Sequence, residues 1–357
     1  MTKYIVAIDS FKGCLTSAEA GQTVADTLRR LRPGAEVVCL EVSDGGEGMA
    51  NAFTTALQGE MVEVPVHDAM MRPVTARYGW CPDGVAVIET AQACGLTLIA
   101  PEDRNPLVAT TYGVGEMLTD AVRRGCRQFV VGLGGSATSD AGIGMLRALV
   151  DTLAPQATFD QVREKLAGCR FILASDVRNP LCGPDGAARI FAPQKGATPD
   201  QVEQLERRAA RFADRSARHF GYDRSTCPGA GAAGGLGYAF IQYLDADCQS
   251  GADLLLQMQH YDCLLDGCTR VFTGEGHADR QTLMGKLPER VLQYARQHDV
   301  PVTLLAGRID EAASLHDAGF DDVVCINASG TLTDDALLPD VARRRLAEAV
   351  EHCLENE

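Results

Sequence analysis

The chain is poor in positive charge. Its 357 residues include 33 Lys and Arg against 48 Asp and Glu, which gives a formal net charge of -15 at pH 7. This balance does not suit binding to nucleic acid or to an anionic membrane surface, because both partners attract dense positive charge. We therefore expect small-molecule ligands, with no nucleic-acid and no membrane partner.

The sequence also lacks the patterns of a secreted or membrane protein. Its 13 cysteines are scattered, odd in number and without a CxxC pair, which favours free thiols over a disulfide framework or a structural zinc site. No run of 18 apolar residues is present, and the first residues, MTKYIVAID, are typical of a strand and not of a signal peptide. We predict a cytoplasmic protein and leave open whether it forms a homo-oligomer.

Several catalytic signatures are missing. The chain has no GxxxxGK(S/T) phosphate loop, no HExxH motif and no GxSxG nucleophile elbow, so a P-loop kinase and a serine hydrolase are disfavoured. The spacing Gly229-x-Gly231-x-x-Gly234 matches a dinucleotide fingerprint. It follows a predicted helix and Cys227-Pro228, however, whereas the fingerprint requires a preceding strand.

Six short runs stand out instead, most of them combining glycine with charged or hydroxyl residues. They are DSFKG (9–13), SDGGEG (43–48), GLGGSATSD (132–140), SDVRNP (175–180), PGAGAAGG (228–235) and TGEGHADRQT (273–282). Several follow apolar runs typical of strands, and open α/β sheets bind ligands at the carboxyl ends of their strands. Glycine lets main-chain N–H groups approach a phosphate. The pattern therefore predicts an enzyme that acts on a phosphorylated ligand.

The hydrophobic periodicity predicts two α/β domains. Apolar runs ending at Asp9 and Val42 flank a helix that begins after the capping box Thr16-x-x-Glu19, as in a β-α-β unit. Short strands between residues 60 and 90 indicate antiparallel hairpins, and the β-α rhythm returns after about residue 260. We predict a Rossmann-like, doubly wound parallel-sheet domain formed by residues 1–60 and 261–357. A second, mixed α/β domain, residues 61–260, is inserted into it.

The run from Gly134 to Thr138 lies between a predicted strand and a predicted helix. Its amides and hydroxyls, with the helix N-terminus, would form an anion-binding cradle. Asp9, Asp44 and Asp176 each follow a predicted strand, where carboxylates bind Mg²⁺ or accept a hydroxyl proton. The chain has only five lysines, Lys3, Lys12, Lys165, Lys195 and Lys286, of which the second, fourth and fifth stand beside glycine in the runs described.

The ordered set of motifs resembles the type I bacterial glycerate kinases over almost the whole chain. The motifs are DSFKG, SDGGEG, RNPL-x3-TYG, GLGGSAT-x-D, SD-x-x-NPL, PQKG, PGAGAAGG and GEG-x-x-D-x-QT-x-x-GK. Each is modest alone, whereas the set in this order is specific. The resemblance implies ATP-dependent phosphorylation of D-glycerate, usually at the 2-hydroxyl, in a cleft between two domains. It also implies a Rossmann-like domain that is split by an inserted α/β domain.

From the resemblance and the loop positions we expect the following roles. The catalytic candidates are Asp176, Asp140 and Lys12, with one of the aspartates accepting the proton of the attacking hydroxyl. The ATP-binding candidates are Gly45, Gly46, Gly134, Gly135, Ser136, Thr138, Lys195, Gly231, Gly234 and Lys286. Mg²⁺ is expected on Asp44, Glu275 and Asp279. The glycerate-binding candidates are Arg72, Arg104, Asn179 and Asp9, with an arginine pairing with the substrate carboxylate.

Alternative functions remain at this point. The chain could phosphorylate another small hydroxy acid, or glycerate at the 3-hydroxyl. More remotely, it could be an NAD-dependent dehydrogenase that uses the Gly229 fingerprint, or a ligand-binding regulator without catalytic activity. The aspartates and lysines present at the predicted loops disfavour the regulator.

Overall fold

A computed structural model describes residues 2–11, 13–43, 48–156, 158–327 and 338–355. In these residues the strands are β1 (Lys3–Ile8), β2 (Glu36–Glu41), β3 (Glu60–His67), β4 (Pro73–Cys81), β5 (Val85–Glu89), β6 (Gln128–Gly132), β7 (Arg170–Ala174), β8 (Asp247–Gln249), β9 (Arg270–Ala278), β10 (Val302–Ile309) and β11 (Asp322–Cys325).

The helices in the same part of the chain are α1 (Ser17–Leu31), α2 (Met49–Ala56), α3 (Ala91–Cys94), α4 (Tyr112–Arg123), α5 (Ile143–Leu153), α6 (Phe159–Lys165), α7 (Ala187–Phe191), α8 (Pro199–Phe220), α9 (Ala232–Tyr243), α10 (Gly251–Met258), α11 (Tyr261–Leu264), α12 (Leu287–Gln297), α13 (Ala312–Ala318) and α14 (Pro339–Glu355). The capping box of Thr16 and Glu19 is confirmed, with Glu19 N–H donating to Thr16 Oγ1. None of the described helices combines the length and apolar character needed to cross a bilayer.

The chain divides into two compact units. Unit 1 is Met1–Asp44 with Ala252–Glu357, and unit 2 is Gly45–Gly251. These boundaries differ from the predicted ones, because residues 45–60 belong to unit 2 and residues 252–260 belong to unit 1. The first shift has a clear physical cause, since α2 packs on β4 and β5 of the unit 2 sheet.

Unit 1 is built on a parallel sheet with the strand order β2-β1-β9-β10-β11. This is the doubly wound strand order of flavodoxin-like folds. The chain adds β2 on one side of β1 and the later strands on the other side, so the topological switch point lies between β1 and β9. Tyr4, Val6 and Ile8 of β1 are fully buried in one core with residues of α1 and α14. The predicted class of this part of the fold is confirmed.

Unit 2 is built on a mixed sheet with the order β3-β4-β5-β6-β7-β8. The first three strands are antiparallel, as the hairpin signals predict, and β5 to β8 are parallel. Glu89, Gly132 and Ala174 are in register at the carboxyl ends of β5, β6 and β7. The loops that follow these three strands therefore leave one edge of the sheet together.

Strand β9 is longer than predicted. The sequence predicts a strand that ends at Thr273, whereas β9 continues to Ala278 and pairs with β10 as far as Ile309. Glycine explains the extension, because a Cβ atom at Gly274 would overlap the carbonyl oxygen of Leu305 on the neighbouring strand. Glu275 accordingly lies in a strand and not in a loop.

Candidate active site

The loop that follows β6, residues 133–142, contains the predicted anion cradle, and we call it the cradle loop. Two main-chain bonds anchor it to the segment after β5: Leu96 N–H donates to Gly135 O at 2.9 Å, and Ala137 N–H donates to Cys94 O at 2.7 Å. Gly135 has a φ of +71°, which glycine adopts without strain. These two bonds therefore fix residues 135–137 of the cradle loop to residues 94–96.

The outer side of the cradle loop presents unused donors. Gly134 and Gly135 are exposed. No residue in the described parts of the chain accepts a hydrogen bond from the main-chain N–H groups of Gly134, Gly135 or Ser136. Consecutive N–H groups in a glycine-rich turn are a recognised binding arrangement for anions such as phosphate. This geometry supports the predicted role of these three residues.

Asp140 is buried and acts as an acceptor for several donors of the protein itself. Its carboxylate accepts the N–H and hydroxyl of Thr111, both at 2.9 Å, and the N–H groups of Gly142 and Gly144 at 3.0 Å. It thereby links the N-termini of α4 and α5. Because four protein donors bind this buried carboxylate, the arrangement favours a structural role for Asp140 over that of proton acceptor. Thr111 is the first residue of the TYG motif, but it was not among the predicted site residues.

Lys195 is also buried, with 3% of its surface exposed. It ends the 3₁₀ turn Pro193–Lys195, and its Nζ donates to the Thr138 carbonyl at 2.7 Å and to the Ser136 hydroxyl at 3.0 Å. Burial lowers the pKa of Lys195 to about 8, although the nearby Cys94 thiol and Asp140 carboxylate act in the opposite direction. The structure therefore brings Lys195 and the cradle loop together, with the ammonium group bonded to a main-chain carbonyl and a side-chain hydroxyl of the loop.

Gly231 and Gly234 pack against protein backbone. A Cβ atom at Gly231 would overlap the Pro180 carbonyl oxygen, and one at Gly234 would overlap the Thr138 carbonyl oxygen. The N–H of Gly231 donates to Asn179 O at 2.8 Å, so it is already used. This packing explains both glycines without a nucleotide.

The loop after β7 carries Asp176 and Asn179. Asp176 is exposed two residues beyond the end of the strand, and Ser175 N–H donates to Gln249 O at 2.9 Å, which fixes the base of the loop. The Asn179 amide donates to the main-chain oxygen of Asp185 at 2.8 Å. Asp176 is thus exposed, in contrast to the buried Asp140.

Both predicted substrate arginines bind the segment that anchors the cradle loop. Arg72 donates to Leu98 O at 2.9 Å and forms an ion pair of 2.7 Å with the buried carboxylate of Asp68. Arg104 donates to Ile99 O at 3.4 Å and Leu96 O at 3.3 Å. No acidic side chain of the described residues pairs with Arg104. The positive charge of Arg72 is therefore balanced by Asp68, whereas no carboxylate of the described residues balances that of Arg104.

In unit 1, Asp9 directly follows β1, and Glu275 lies in the second half of the neighbouring strand β9. Asp9 N–H donates to Gly274 O at 2.9 Å, which holds the end of β1 against β9. The Glu275 carboxylate accepts the Thr282 hydroxyl at 2.6 Å and the Lys286 ammonium at 3.1 Å. Lys286 retains 34% exposure of its side chain. These residues lie where doubly wound sheets bind their ligands.

Asp279 serves as a helix cap. Its carboxylate accepts the N–H of Gln281 at 2.7 Å at the start of the 3₁₀ turn Arg280–Leu283. This bond accounts for the residue without a metal ion. In the described residues, no group of three or more histidine, cysteine, aspartate or glutamate side chains is arranged to hold a metal.

Other positions complete the account of the predicted residues. Lys12, Asp44, Gly45 and Gly46 lie outside the described residues. The sequence reasoning missed Glu89, whose buried carboxylate accepts the N–H of Ala50 at 2.7 Å near the start of α2. A sequence signal for Glu89 was present, because it is the last residue of an apolar strand and Asp9 directly follows another apolar strand.

A cavity of about 610 Å³ lies elsewhere in unit 2. It is lined by Trp80, Asp83 and Arg124, among others, at the amino ends of β5 and β6. Ligands of α/β sheets bind at the carboxyl ends, where the cradle loop lies. The volume of a cavity therefore does not by itself locate the active site of this protein.

The fold and the cradle loop together define an α/β protein with a glycine-rich loop at the carboxyl ends of its strands, as many phosphate-binding enzymes have. The sequence profile of the Glycerate kinase family matches residues 4–356 of the chain. A glycerate kinase from Bacillus subtilis (strain 168) is 37% identical over 353 residues, covering 94% of this chain and 92% of its own length. A glycerate 2-kinase from Escherichia coli (strain K12) is 35% identical over 352 residues, with coverages of 93% and 92%.

A solved structure agrees with these sequence matches. The crystal structure of a candidate glycerate kinase 2 from Salmonella typhimurium LT2 is similar to the chain with a TM-score of 0.85 at 32% identity, covering 99% of this chain and 98% of that one. The chain belongs to the glycerate kinase family, and it is therefore an enzyme that transfers phosphate.

Proposed function

We propose that this enzyme transfers the terminal phosphoryl group of ATP to the 2-hydroxyl of D-glycerate. Membership of the glycerate kinase family supports the reaction class, and a relative named glycerate 2-kinase supports the position. The observation that carries the proposal is the set of unused N–H groups at Gly134, Gly135 and Ser136, at the carboxyl edge of the unit 2 sheet. These donors suit phosphate oxygens, because an anion at this loop satisfies them without displacing a protein bond.

Asp176 is the residue that we propose as proton acceptor. It is exposed at the end of β7, directly beside the strand that leads into the cradle loop. A carboxylate in that position can take the proton of an attacking hydroxyl, whereas the Asp140 carboxylate is occupied by protein donors. The sequence left Asp140 and Asp176 as equal candidates for the base. The exposure of Asp176 and the buried, bonded state of Asp140 favour Asp176.

Arg104 is the arginine that we propose for the glycerate carboxylate. Its bonds to Ile99 and Leu96 carbonyls orient the guanidinium but leave its charge unbalanced, and an arginine has five donors. Arg72 is already neutralised by Asp68. A carboxylate substrate therefore gains more from Arg104.

Magnesium is proposed on the acidic residues of unit 1. Glu275 and Asp9 offer carboxylate oxygens, which are the ligands that Mg²⁺ prefers, at the ends of adjacent strands. Bound Mg²⁺ would neutralise charge on phosphate oxygens. Lys286, held by Glu275, provides a partly exposed cation for the same purpose.

A coupled ADP-release assay tests the function. With ATP and Mg²⁺, we expect turnover with D-glycerate and much less with a panel of other small hydroxy acids, and ³¹P NMR of the product should show 2-phosphoglycerate. 3-Phosphoglycerate would contradict the proposed position. Reduction of NAD by glycerate without ADP release would replace the kinase with a dehydrogenase.

Two variants test the assignment of the base. Asp176→Asn should lower kcat by roughly 10²-fold or more, since that is the usual contribution of a positioned base. The matched control is Asp185→Asn, because Asp185 is exposed in the same loop and contributes only its main-chain oxygen to Asn179. Equal turnover in the two variants would remove Asp176 from the mechanism.

A further inference from the structure

We propose that Lys195 is a positioning residue that fixes the cradle loop from inside the protein, and that it does not itself bind phosphate. This differs from the role that its PQKG motif suggests. The inference rests on the proposed function only for what the loop binds, because the contacts that carry it are internal to unit 2.

The first observation is where the ammonium group goes. Lys195 is 3% exposed, and its Nζ donates to two atoms of the cradle loop, the Thr138 carbonyl oxygen at 2.7 Å and the Ser136 hydroxyl at 3.0 Å. A lysine that binds a nucleotide phosphate directs its ammonium group toward the ligand as a point charge. Here the ammonium group is buried and donates to the cradle loop itself.

The second observation is that Thr138 O depends on this lysine. Gly234 closes one side of the carbonyl oxygen, since even a Cβ atom there would overlap it. The Thr138 side chain is fully buried, with its hydroxyl beside the Cys94 thiol. A buried carbonyl that loses its donor retains its full desolvation cost, so the loop would shift to satisfy it. Lys195 therefore determines the conformation of residues 136–138.

The third observation is that Lys195 is itself held in place. The turn Pro193–Lys195 is closed by the bond from Lys195 N–H to Ala192 O at 3.0 Å, and Gly196 follows with a φ of +93°. A Cβ atom at Gly196 would lie 3.2 Å from Arg104 O, so the backbone there approaches the proposed substrate arginine closely. The Lys195 ammonium thus has a fixed position from which to act on the loop.

Hydrogen exchange without nucleotide or substrate tests the proposal. We expect Lys195→Met to raise the exchange rates of the Leu96 and Ala137 amides, whose bonds anchor the cradle loop, at least tenfold, while the helix of residues 199–220 keeps its wild-type rate. The matched control is Lys165→Met, since Lys165 also donates to a main-chain carbonyl, that of Leu153, but is exposed. The control should leave exchange of the Leu96 and Ala137 amides unchanged.

Kinetics and a second variant complete the test. Lys195→Met should lower kcat/KM for ATP at least tenfold. If it weakens ATP binding while loop exchange stays at the wild-type rate, Lys195 is a phosphate ligand and the proposal is overturned. Should Lys195→Met not fold, Ser136→Ala removes one of the two acceptors and should raise loop exchange about threefold, and an unchanged rate would again overturn it. A chain without kinase activity whose loop exchange still depends on Lys195 would contradict the proposed function and not this inference.

Discussion

The two glycine-rich runs of unit 2 use glycine for opposite reasons. In the cradle loop, Gly134 and Gly135 are exposed and none of the described residues accepts their N–H groups. In the run 228–235, Gly231 and Gly234 have no room for a Cβ atom, and the Gly231 N–H is bonded to Asn179 O. The sequence predicts nucleotide binding for both runs.

The difference shows that glycine content does not by itself identify a phosphate loop. Glycine is required both where a ligand approaches the backbone and where two backbones approach each other. The second run provides the packing surface against which Thr138, and hence the cradle loop, is held. The proposed phosphate binding by the cradle loop thus depends on packing by the run 228–235.

Gly234→Ala should be the most damaging change. Gly234 has a φ of +65°, and an added Cβ atom would overlap the Thr138 carbonyl. Left-handed strain of roughly 1–2 kcal/mol and overpacking of roughly 1–3 kcal/mol together predict a loss of about 2–5 kcal/mol in the free energy of unfolding, measured with urea. The matched control is Gly221→Ala. Gly221 has a φ of +77°, but a Cβ atom added there has no neighbour within 4 Å, so this variant should show the backbone strain alone. Equal losses in the two variants would refute the packing role.

Asp140→Ala should destabilise the fold by about 3 kcal/mol. The change leaves buried donors of Thr111, Gly142 and Gly144 without their acceptor. Urea unfolding measures the loss, and Asp140→Asn, which keeps one acceptor oxygen, should recover part of it. If Asp140→Ala instead retains wild-type stability and loses only turnover, Asp140 is a catalytic group after all.

Gly134→Ala should affect binding and not stability. The residue is exposed and has no left-handed φ, so we expect the unfolding free energy to stay within about 0.5 kcal/mol of wild type. The added methyl group at the loop surface should raise KM for ATP about tenfold, equivalent to about 1.4 kcal/mol. An unchanged KM would mean that phosphate binds elsewhere.

The pH dependence of stability should reveal the buried Lys195. Its folded pKa of about 8 lies below the ordinary 10.5, so between these values the unfolded chain binds more protons and this residue makes the unfolding free energy rise with pH. We expect the wild type to gain roughly 1 kcal/mol between pH 7 and pH 9 relative to Lys195→Met. Cys94 and Asp140 face Lys195, and burial raises the pKa of the Cys94 thiol to about 12, outside this range. Parallel pH profiles for the two proteins would contradict the buried charge.

Local patterns predicted much of the fold. The capping box at Thr16 and the hairpin signals between residues 60 and 90 agree with the structure, because each depends on a few neighbouring residues. The extension of β9 past Thr273 was missed, since it depends on pairing with a strand about thirty residues away. The fold class followed from the local patterns, whereas the boundary of unit 2 depends on how α2 packs.

The site was predicted less completely than the fold. The sequence indicated which loops carry the relevant residues, and the structure brings Ser136, Lys195 and Arg104 into one region of unit 2. It could not separate Asp140 from Asp176, or a buried lysine such as Lys195 from a partly exposed one such as Lys286. Burial and hydrogen bonding distinguish these residues, and both depend on residues distant in the chain. The catalytic and binding roles of all the site residues stay predictions, and Lys12, Asp44, Gly45 and Gly46 lie outside the described residues.

The most direct measurement is an NMR titration of protein labelled with ¹⁵N-glycine, using ATP and Mg²⁺. We expect large amide shifts for Gly134 and Gly135, whose N–H groups would bind phosphate oxygens, and small ones for Gly231 and Gly234. Large shifts at Gly231 and Gly234 with unchanged Gly134 and Gly135 would contradict it.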